Sequence, residues 1–577
     1  MKLRLLPLPA LLLLAGCATV PGATAPLAPV EIGIVAINDF HGALEPPRQS
    51  TQVTLADGTT KGIPAGGAAW LASAVEATRG KYANHLTVAA GDLTGGSQLA
   101  SSIYLDEPAV GVLNRLGLEY AAVGNHEFDR GTAELTRLQQ GGCARNTRRE
   151  PCAIEPFPGA SYRYLAANVR STDGPTLFPG TAMKTFGSGA NEVTVGLIGL
   201  TLQGTFGLVS PQATAGFTFE DEATTINAAT EALKAQGADV VVVLIHQGLR
   251  TADPPNPSGC NAPTGELAPI LERLDPRVDV VVSGHTHWAY VCQRPGRDGE
   301  AILLTSAGQN GRTLTDIRLT VDPASGRVLT SEARNVIVQS EAYRGANAMV
   351  ELDPAYPQFA PDPEVAAFVG RYVQAAERFS LREIGKLSGA ASRGTGDENG
   401  RGGNLGNLIA DAQLGATRGA GAQIALMNPF GIRAALVPAE GGAVTFGALF
   451  RVQPFDNTMV TMSLTGAELK AVLEQGFDDN GPHQWLAPSA GFEYRTDRSR
   501  PIGERIVAMT LDGRPIDPNA TYRVTANNFL ADGGDTFTLF AQARDKVIGE
   551  SDIAALEGWV AGVPVRTVPE DARVSGN

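Results

Sequence analysis

The hexapeptide Gly124-Asn125-His126-Glu127-Phe128-Asp129 places an amide, an imidazole and two carboxylates within five positions. It follows a short apolar run, residues 120–123, which predicts a strand. Asn125 could bind a metal ion while His126, oriented by Asp129, faces a substrate and stabilises charge. The alternative is an ordinary loop in which Asn and Asp cap the next helix. The loop by itself does not separate these two interpretations.

Similar side chains follow other apolar runs. Five of the seven histidines, two aspartates and the loop asparagine stand at such positions: His41, His126, His246, His285, His287, Asp39, Asp92 and Asn125. Independent loops would not all place His, Asp or Asn at the same end of a strand. Nitrogen and oxygen ligands without a thiolate fit zinc, manganese, iron or cobalt better than calcium or magnesium. Because the ligands outnumber those of one tetrahedral ion, the set predicts two divalent metals bridged by a carboxylate.

The elements that position these residues are predicted from hydrophobic patterns. Apolar β-branched runs predict strands at 32–37, 86–90, 120–123, 193–199, 240–245 and 278–282, and helical periodicity predicts helices at 68–78 and 223–235. Residues 314–321 alternate, and 322–326 predict a hairpin turn. Strands that alternate with helices indicate an α/β layered core whose strand ends bring functional groups together.

The length and charge of the chain limit its organisation and its partners. With 577 residues the chain is too long for one core, so two large domains are expected. A proline-rich stretch at 354–363 followed by a predicted helix at 364–379 indicates a linker that suits a hinge. The net charge of −14 argues against a nucleic acid polymer as partner, but small anionic substrates remain compatible because bound cations reverse the local field.

The N-terminus has the pattern of an export signal. Lys2 and Arg4 precede an apolar run at 5–14, which is too short to span a membrane. The sequence Leu14-Ala15-Gly16-Cys17 resembles the bacterial lipobox, which implies removal of residues 1–16, lipidation of Cys17 and a tether at 17–30. By the same resemblance Ala18 implies an anchor in the outer membrane, facing the periplasm.

The other four cysteines are Cys143, Cys152, Cys260 and Cys292. In an exported chain disulfides persist, and three connectivities are possible. Local pairing is favoured, which gives Cys143 with Cys152 and Cys260 with Cys292. None of the four has the CxxC spacing of a zinc site.

The ordered motifs of the first domain resemble those of the calcineurin-like metallophosphoesterases, and more closely those of the bacterial and animal 5′-nucleotidases. The motifs are Asp39-Phe40-His41, Gly91-Asp92, residues 124–129, His246 and Gly284-His285-Thr286-His287. The resemblance implies a four-layer α/β/β/α domain at 31–345. It also implies one metal, Zn, Mn or Co, at Asp39, His41, Asp92 and His287, and a second at Asp92, Asn125, His246 and His285. His126 and Asp129 match the catalytic dyad of the family.

Glycine-rich loops further along resemble the C-terminal domain of the same family. This implies a linker with a hinge helix at 346–382 and a smaller α+β substrate-binding domain at 383–577. By the resemblance, Phe455 and Phe529 clamp the base and Asp535 binds the ribose. Arg401 and Arg433 then bind phosphate and sugar, and Asn428 lies near the base.

The residues together with this resemblance predict a lipid-anchored, two-domain dinuclear metallophosphatase that acts on nucleoside 5′-monophosphates outside the cytoplasm. Di- and triphosphates and UDP-sugars fit the same site. A hinge motion is expected to carry substrate from the second domain to the metals. The alternatives are a 2′,3′-cyclic phosphodiesterase with 3′-nucleotidase activity, a nucleotide-sugar pyrophosphatase, and a non-catalytic nucleotide-binding lipoprotein. Oligomeric state has no signal in the sequence.

Overall fold

The computed structural model describes residues 27–576, except for 56, 148, 173, 210–212, 255, 257–258, 296–300, 346–347, 395–399, 456 and 480–481. The predicted export signal and Cys17 lie outside the described residues. Within this described part of the chain, no helix combines the length and the apolar character needed to cross a bilayer.

Two six-stranded sheets form the centre of the first domain. The first has the order β16 (Arg327–Ile337), β15 (Thr313–Asp322), β1 (Val30–Ile37), β4 (His85–Ala89), β5 (Tyr120–Ala122), β6 (Arg163–Leu165). The second has the order β13 (Ala289–Pro295), β14 (Ala301–Ala307), β12 (Val280–Ser283), β11 (Val240–His246), β9 (Val193–Thr201), β8 (Thr181–Phe186). The facing sides of the two sheets bury one apolar core, to which Ile34, Val88, Leu197 and Val242 contribute.

The central strands of both sheets are parallel: β1, β4, β5 and β6 in the first, and β9, β11, β12 and β14 in the second. Their carboxyl ends therefore share an edge. Three small two-stranded pairs accompany them: β2 (Thr51–Thr54) with β3 (Thr60–Ile63), β7 (Val169–Ser171) with β10 (Phe217–Phe219), and β17 (Tyr343–Arg344) with β18 (Met349–Val350).

Helices cover both outer faces of this sandwich. The helices of the first domain are α1 (Ala68–Arg79), α2 (Leu99–Ser102), α3 (Glu107–Arg115), α4 (Thr132–Gln140), α5 (Glu222–Ala235) and α6 (Leu267–Leu271), followed by α7 (Pro363–Ser380). Side chains of α1, α3, α4 and α7 pack on the first sheet, and those of α5 and α6 pack on the second. The expected four-layer α/β/β/α fold is confirmed.

Helix α7 follows the proline-rich stretch and packs mainly against the first domain, and its C-terminal end contacts α9 of the second domain. The carboxylate of Asp362 accepts the backbone N–H of Val365 at 2.9 Å and caps the helix, and Pro363 occupies the first turn. Val365, Phe368 and Tyr372 lie on one face and are buried in the same core as α1 and α3. The helix thus completes the helical layer of the first domain, and the chain enters the second domain directly after it.

The second domain is a smaller α+β unit, as expected. Its main sheet has the order β23 (Ala487–Pro488), β20 (Ile424–Met427), β27 (Thr521–Asn527), β22 (Thr458–Thr465), β28 (Arg544–Ser551). The other strands are β19 (Glu383–Lys386) paired with β21 (Ala443–Thr445), and a sheet of β26 (Arg514–Pro515), β25 (Ile506–Leu511), β24 (Phe492–Thr496) and β29 (Val574–Gly576). The helices are α8 (Gly403–Thr417), α9 (Phe446–Val452), α10 (Gly466–Gln475), α11 (Asn528–Ala531) and α12 (Asp552–Ala561).

Two disulfides join cysteines in loops of the first domain. They are Cys143–Cys152, in the segment after α4, and Cys260–Cys292, which ties a loop to β13. Both local pairings expected from the sequence are confirmed.

Candidate active site

Two clusters of metal-ligating side chains lie where the parallel strands of both sheets end. The first contains Asp39, His41 and His287, and the second contains Asp92, His246 and His285. Within each cluster the ligating atoms all lie within 4.8 Å of one another. The shared edge of the parallel strands brings together loops that are more than 200 residues apart in the sequence.

Asp92 lies between the two clusters. Its Oδ2 is 3.0 Å from His246 Nε2 and 3.8 Å from His41 Nε2, so one carboxylate oxygen faces a histidine of each cluster. The amide oxygen of Asn125 belongs to the second cluster, because it lies 3.1 Å from both His246 Nε2 and His285 Nδ1. All seven predicted ligands therefore meet in one place.

The histidines are oriented by hydrogen bonds through their other ring nitrogen. His41 Nδ1 donates to the carbonyl of Gly95 at 2.8 Å, and His246 Nδ1 donates to the carbonyl of Ala90 at 2.8 Å. A neutral ring in this orientation presents the lone pair of Nε2 to the cluster. Burial lowers the pKa of His41 to about 3 and that of His285 to about 3, so both rings are neutral at physiological pH.

The donor set fits two divalent cations. Asp39 and Asp92 are buried, and they face imidazole and amide atoms that also carry lone pairs. Buried anions in such a setting require positive charge nearby. Burial disfavours the charged form of His246, but the Asp92 carboxylate outweighs this and raises the pKa of His246 to about 9. Imidazole, amide and carboxylate ligands suit zinc, manganese or cobalt.

Five of these ligands have left-handed backbones. The φ angles are 49° for Asp39, 48° for His41, 51° for Asp92, 71° for His285 and 64° for His287. A non-glycine residue in this region costs about 1–3 kcal/mol, and such residues concentrate at functional sites. The surrounding structure therefore holds the ligands in positions that the isolated loops would not adopt.

Glu127 holds two of the loops together. Its carboxylate accepts four backbone N–H groups, from Asp92 at 2.9 Å, Leu93 at 2.7 Å, Thr94 at 3.0 Å and Gly124 at 2.6 Å. From the sequence, Glu127 is a side chain able to bind a metal or move a proton, but the pattern around it indicates no particular role. Its position in the hexapeptide carries no signal for these long-range contacts.

His126 and Asp129 form a pair beside the clusters, within a 3₁₀ turn at His126–Phe128. His126 Nδ1 lies 2.9 Å from Asp129 Oδ2, and the His126 ring lies edge-on to that of His41 with centroids 5.1 Å apart. Burial opposes protonation, but the carboxylates of Asp129 and Asp92 raise the pKa of His126 above its usual value. The ring is therefore disposed to carry positive charge next to the two clusters of metal-ligating side chains.

The second domain reaches this centre with Phe455 and Arg433. The phenyl ring of Phe455 stacks on His126, with centroids 5.8 Å apart and planes 6° apart. The guanidinium of Arg433 lies 5.7 Å from the centroid of Phe455. Burial lowers the pKa of Arg433, and the carboxylates of Asp129 and Asp92 oppose that shift, so the guanidinium is charged and close to the metal clusters.

Asp535 and Asn428 form a buried polar chain nearby. Asn428 Nδ2 donates to Asp535 Oδ2 at 2.7 Å, and Asn527 Nδ2 donates to Asn428 Oδ1 at 3.0 Å. The backbone N–H of Asp535 donates to the carbonyl of Gly207 in the first domain at 2.9 Å. Phe529 belongs to the same segment, and its ring packs on Gly534, where a Cβ atom would come within 2.5 Å of it.

Arg401 has a different setting from that of Arg433. Its guanidinium lies 4.7 Å from the centroid of Trp485, and its Nη2 donates to the carbonyl of Gly576 at 3.3 Å, at the C-terminal strand. Arg393, which sequence reasoning missed, lies beside Arg433: burial and the Arg433 charge lower the pKa of Arg393. Its Nη1 is 3.5 Å from the carbonyl of Pro429. Its sequence signal is weak, an arginine ahead of a glycine-rich loop.

Both domains match known family models. Residues 32–289 match the calcineurin-like phosphoesterase model, and residues 383–542 match the model of the 5′-nucleotidase C-terminal domain. The chain belongs to the calcineurin-like metallophosphoesterases of the 5′-nucleotidase type. This is a family of phosphoric monoester hydrolases that use divalent metals.

Similar proteins span both domains of the chain. The 5′-nucleotidase precursor from Thermus thermophilus is 28% identical, with a TM-score of 0.73 over 94% of this chain and 99% of that one. Endonuclease YhcR of Bacillus subtilis is 29% identical and covers 93% of this chain, and the cell wall protein Lmo0130 of Listeria monocytogenes is 29% identical and covers 89%. This metallophosphoesterase chain spans only 40% and 65% of the lengths of those two relatives.

Proposed function

We propose that the protein hydrolyses nucleoside 5′-monophosphates to nucleoside and phosphate. The observation that carries the proposal is the stacking of Phe455, from the second domain, on His126 beside the metal clusters. An aromatic ring and the Arg433 guanidinium thus adjoin a centre suited to phosphate. A nucleoside bound by the second domain would have its 5′-phosphate next to the clusters.

Each metal would be held by two histidines, by the shared Asp92 and by one further oxygen ligand, which is a carboxylate in one set and an amide in the other. One set is Asp39, His41, Asp92 and His287, and the other is Asp92, Asn125, His246 and His285. Two divalent cations bound there supply Lewis-acid neutralisation of the phosphate oxygens. Zinc, manganese and cobalt all suit the donor set.

His126 stabilises the charge that develops during phosphoryl transfer. Asp129 accepts a hydrogen bond from Nδ1–H of His126 and fixes the ring, so the Nε2–H of the imidazolium can donate to a phosphate oxygen. The contribution is electrostatic, and it is largest in a buried site where water does not compete.

The second domain selects the nucleoside. Phe455 and Phe529 offer aromatic faces for a base, and the Asp535 carboxylate, oriented by Asn428, accepts sugar hydroxyls. Arg433 binds the phosphate or sugar oxygens, and Arg393 adds a second positive charge. Arg401 was expected to share this role. Its contacts with Trp485 and the C-terminal strand favour a structural one.

The proposed location is outside the cytoplasm. Similar proteins include one named a cell wall protein and one described as a precursor, which supports export. We further propose that residues 1–16 are removed and that a lipid on Cys17 anchors the protein in the outer membrane, facing the periplasm, where it would serve nucleotide salvage.

A second candidate is hydrolysis of phosphodiesters. Among similar proteins, one is named an endonuclease and another a trifunctional nucleotide phosphoesterase. The metal clusters bind phosphate and do not identify the leaving group, so cyclic nucleotides, 3′-nucleotides and UDP-sugars belong in the same test. The net charge of −14 disfavours a polymer.

The test is phosphate release by a chain that starts at residue 18, loaded with Mn²⁺, Co²⁺ or Zn²⁺. The substrates are AMP, UMP, ATP, UDP-glucose, 3′-AMP and 2′,3′-cyclic AMP, and His126→Ala is the inactive control. We expect the highest kcat/KM for AMP or UMP. A preference for the cyclic or 3′ substrates would support the second candidate instead. Bound metal without turnover would indicate a nucleotide-binding protein.

A further inference from the structure

Asp106 occupies the N-cap position of α3 but does not cap the helix. Its φ is 60°, in the left-handed region, and its side chain makes no hydrogen bond to the first turn. An N-cap aspartate ordinarily stabilises its helix through that bond, and a left-handed backbone adds a cost. Asp106 therefore lacks the stabilising bond and also bears the backbone cost, and its carboxylate is fully buried.

The Asp106 carboxylate is directed at the loop of Gly95. Its Oδ2 accepts the Gly95 N–H at 3.1 Å, and its Oδ1 accepts the Ser101 hydroxyl at 2.7 Å. The carbonyl of the same Gly95 accepts the Nδ1–H of His41. One peptide segment therefore connects Asp106 to a metal ligand.

Gly95 also contacts the catalytic pair on its other side. It has a φ of 79°, and a Cβ atom here would lie 2.4 Å from the carbonyl oxygen of His126 and 2.7 Å from Asp129 Oδ2. Because the space between Gly95 and this pair is too small even for a side chain, a shift of the Gly95 loop toward the pair would displace His126 and Asp129. The position of Gly95 thus determines the geometry of His41 and of the His126–Asp129 pair together.

Arg130 completes the connection. It follows Asp129 directly, its Nη1 donates to Asp106 Oδ2 at 2.5 Å, and its Nη2 donates to the Ser102 hydroxyl at 3.0 Å. Burial disfavours the charged carboxylate, but Arg130 lowers the pKa of Asp106 below its usual value, so the pair is ionic. The chain segment that ends the catalytic turn is thereby fastened to the group that holds Gly95.

We propose that the buried Asp106–Arg130 ion pair is a positioning element that fixes the metal ligand His41 in its position relative to the His126–Asp129 pair. The inference rests on the proposed metal-dependent function. Neither residue touches a ligand of either cluster, so both act through Gly95 and Asp129. Loss of either partner releases the Gly95 loop, and His41 loses the acceptor that fixes its tautomer and direction. Changes to such supporting partners typically cost 10–100-fold in metal affinity or activity.

The experiment measures Mn²⁺ binding to the metal-free chain by isothermal titration calorimetry, together with kcat and KM for AMP. The variants are Asp106→Asn, Arg130→Met and the double variant, with Arg130→Lys as the conservative replacement. Asp316→Asn is the matched control, because Asp316 is also buried and paired with Lys81 and Arg334 but lies on β15 away from the site. Urea unfolding of each protein gives its stability and its folded fraction.

We expect each single variant to weaken one Mn²⁺ site by about 10–100-fold and to lower kcat with little change in KM. The double variant should be no worse than the single ones, and Arg130→Lys should recover part of the loss. Asp316→Asn should lose stability only. If the folded Asp106 and Arg130 variants bind Mn²⁺ and turn over like the wild type, this inference is wrong while the proposed function stands. A wild-type chain without Mn²⁺ binding would overturn both.

Discussion

The imidazole of His126 lies parallel to the phenyl ring of Phe455, with the ring centroids 5.8 Å apart. His126 belongs to the loop that the first domain places beside its metal clusters, and Phe455 belongs to a loop of the second domain. The two loops are more than 300 residues apart in the sequence. The contact means that the phosphate and nucleoside parts of the proposed site meet at the boundary between domains.

The first prediction concerns His126. Replacement by alanine is expected to lower kcat by about 10²–10⁴-fold, because it removes charge stabilisation of the transition state, while Mn²⁺ binding is retained. Asp129→Asn should show a smaller loss in the same direction. The control is His483→Ala. His483 lies 2.9 Å from Asp479 in an exposed pair of the second domain, and its loss should leave kcat unchanged. Equal effects of the two histidine variants would contradict the assignment.

The second prediction separates two arginines. Arg393→Met should raise KM for AMP by about 10–100-fold, since it removes a charge-assisted contact worth about 1.5–3 kcal/mol. Arg401→Met should instead lower the unfolding temperature, with little change in KM, because that side chain stacks on Trp485. Steady-state kinetics and thermal unfolding of both variants check this. A larger KM effect at Arg401 would restore the assignment expected from the sequence.

The third prediction is a pH dependence set by Asp535. Burial raises its pKa from 3.8 to about 6, against the opposing effects of Asn428 and Arg433. As an acceptor for sugar hydroxyls the carboxylate must be ionised. Binding should therefore weaken as pH falls through 6, by about tenfold per pH unit below it. Adenosine, tested as an inhibitor, is the suitable probe because it lacks a titrating phosphate. In Asp535→Asn the inhibition constant should be high and independent of pH.

The raised pKa of Asp535 also affects the free energy of unfolding, which changes with pH in the opposite direction to the binding of the nucleoside. In the unfolded chain Asp535 loses its proton near 3.8, but in the folded protein it does so near 6. Between these values the folded state binds more protons, so this residue's contribution to the free energy of unfolding falls as pH rises. Asp535→Asn should remove that component from urea unfolding measured between pH 4 and pH 6.

The fourth prediction concerns domain motion. Helix α7 ends at Ser380, and a Cβ atom at Gly447 in α9 would lie 3.1 Å from the Cβ of Ser380. Cysteines at both positions are close enough for a disulfide after slight relaxation. If turnover requires a hinge between the domains, the oxidised double variant should turn over far more slowly than wild type and recover with reductant. The wild-type protein under the same reductant is the control, and unchanged turnover in the oxidised form would refute the hinge.

Local patterns were sufficient for the elements and for the side chains that the structure gathers into the two clusters. The helix predicted at 364–379 is Pro363–Ser380, and the strand predicted at 240–245 is Val240–His246. These predictions succeed because periodicity and capping are local features of the sequence, and because the candidate metal ligands follow directly after buried strands. The pairing of β1 with β15 could not be predicted in this way, since the partners are about 280 residues apart and packing of the whole sandwich decides their register. The contacts of Glu127, Asp106 and Arg393 escaped prediction for the same reason.

Helix α7 affects the order in which the protein becomes stable during its synthesis. Its buried face, with Val365, Phe368 and Tyr372, completes a core whose preceding member in the sequence is Val338. A growing chain that has emerged only to residue 345 would leave the matching apolar surface of α1 and α3 in water. The first domain can close only after residue 380 appears, and by then the second domain has barely begun. The exposed surface of this interval is where chaperones or premature association would act.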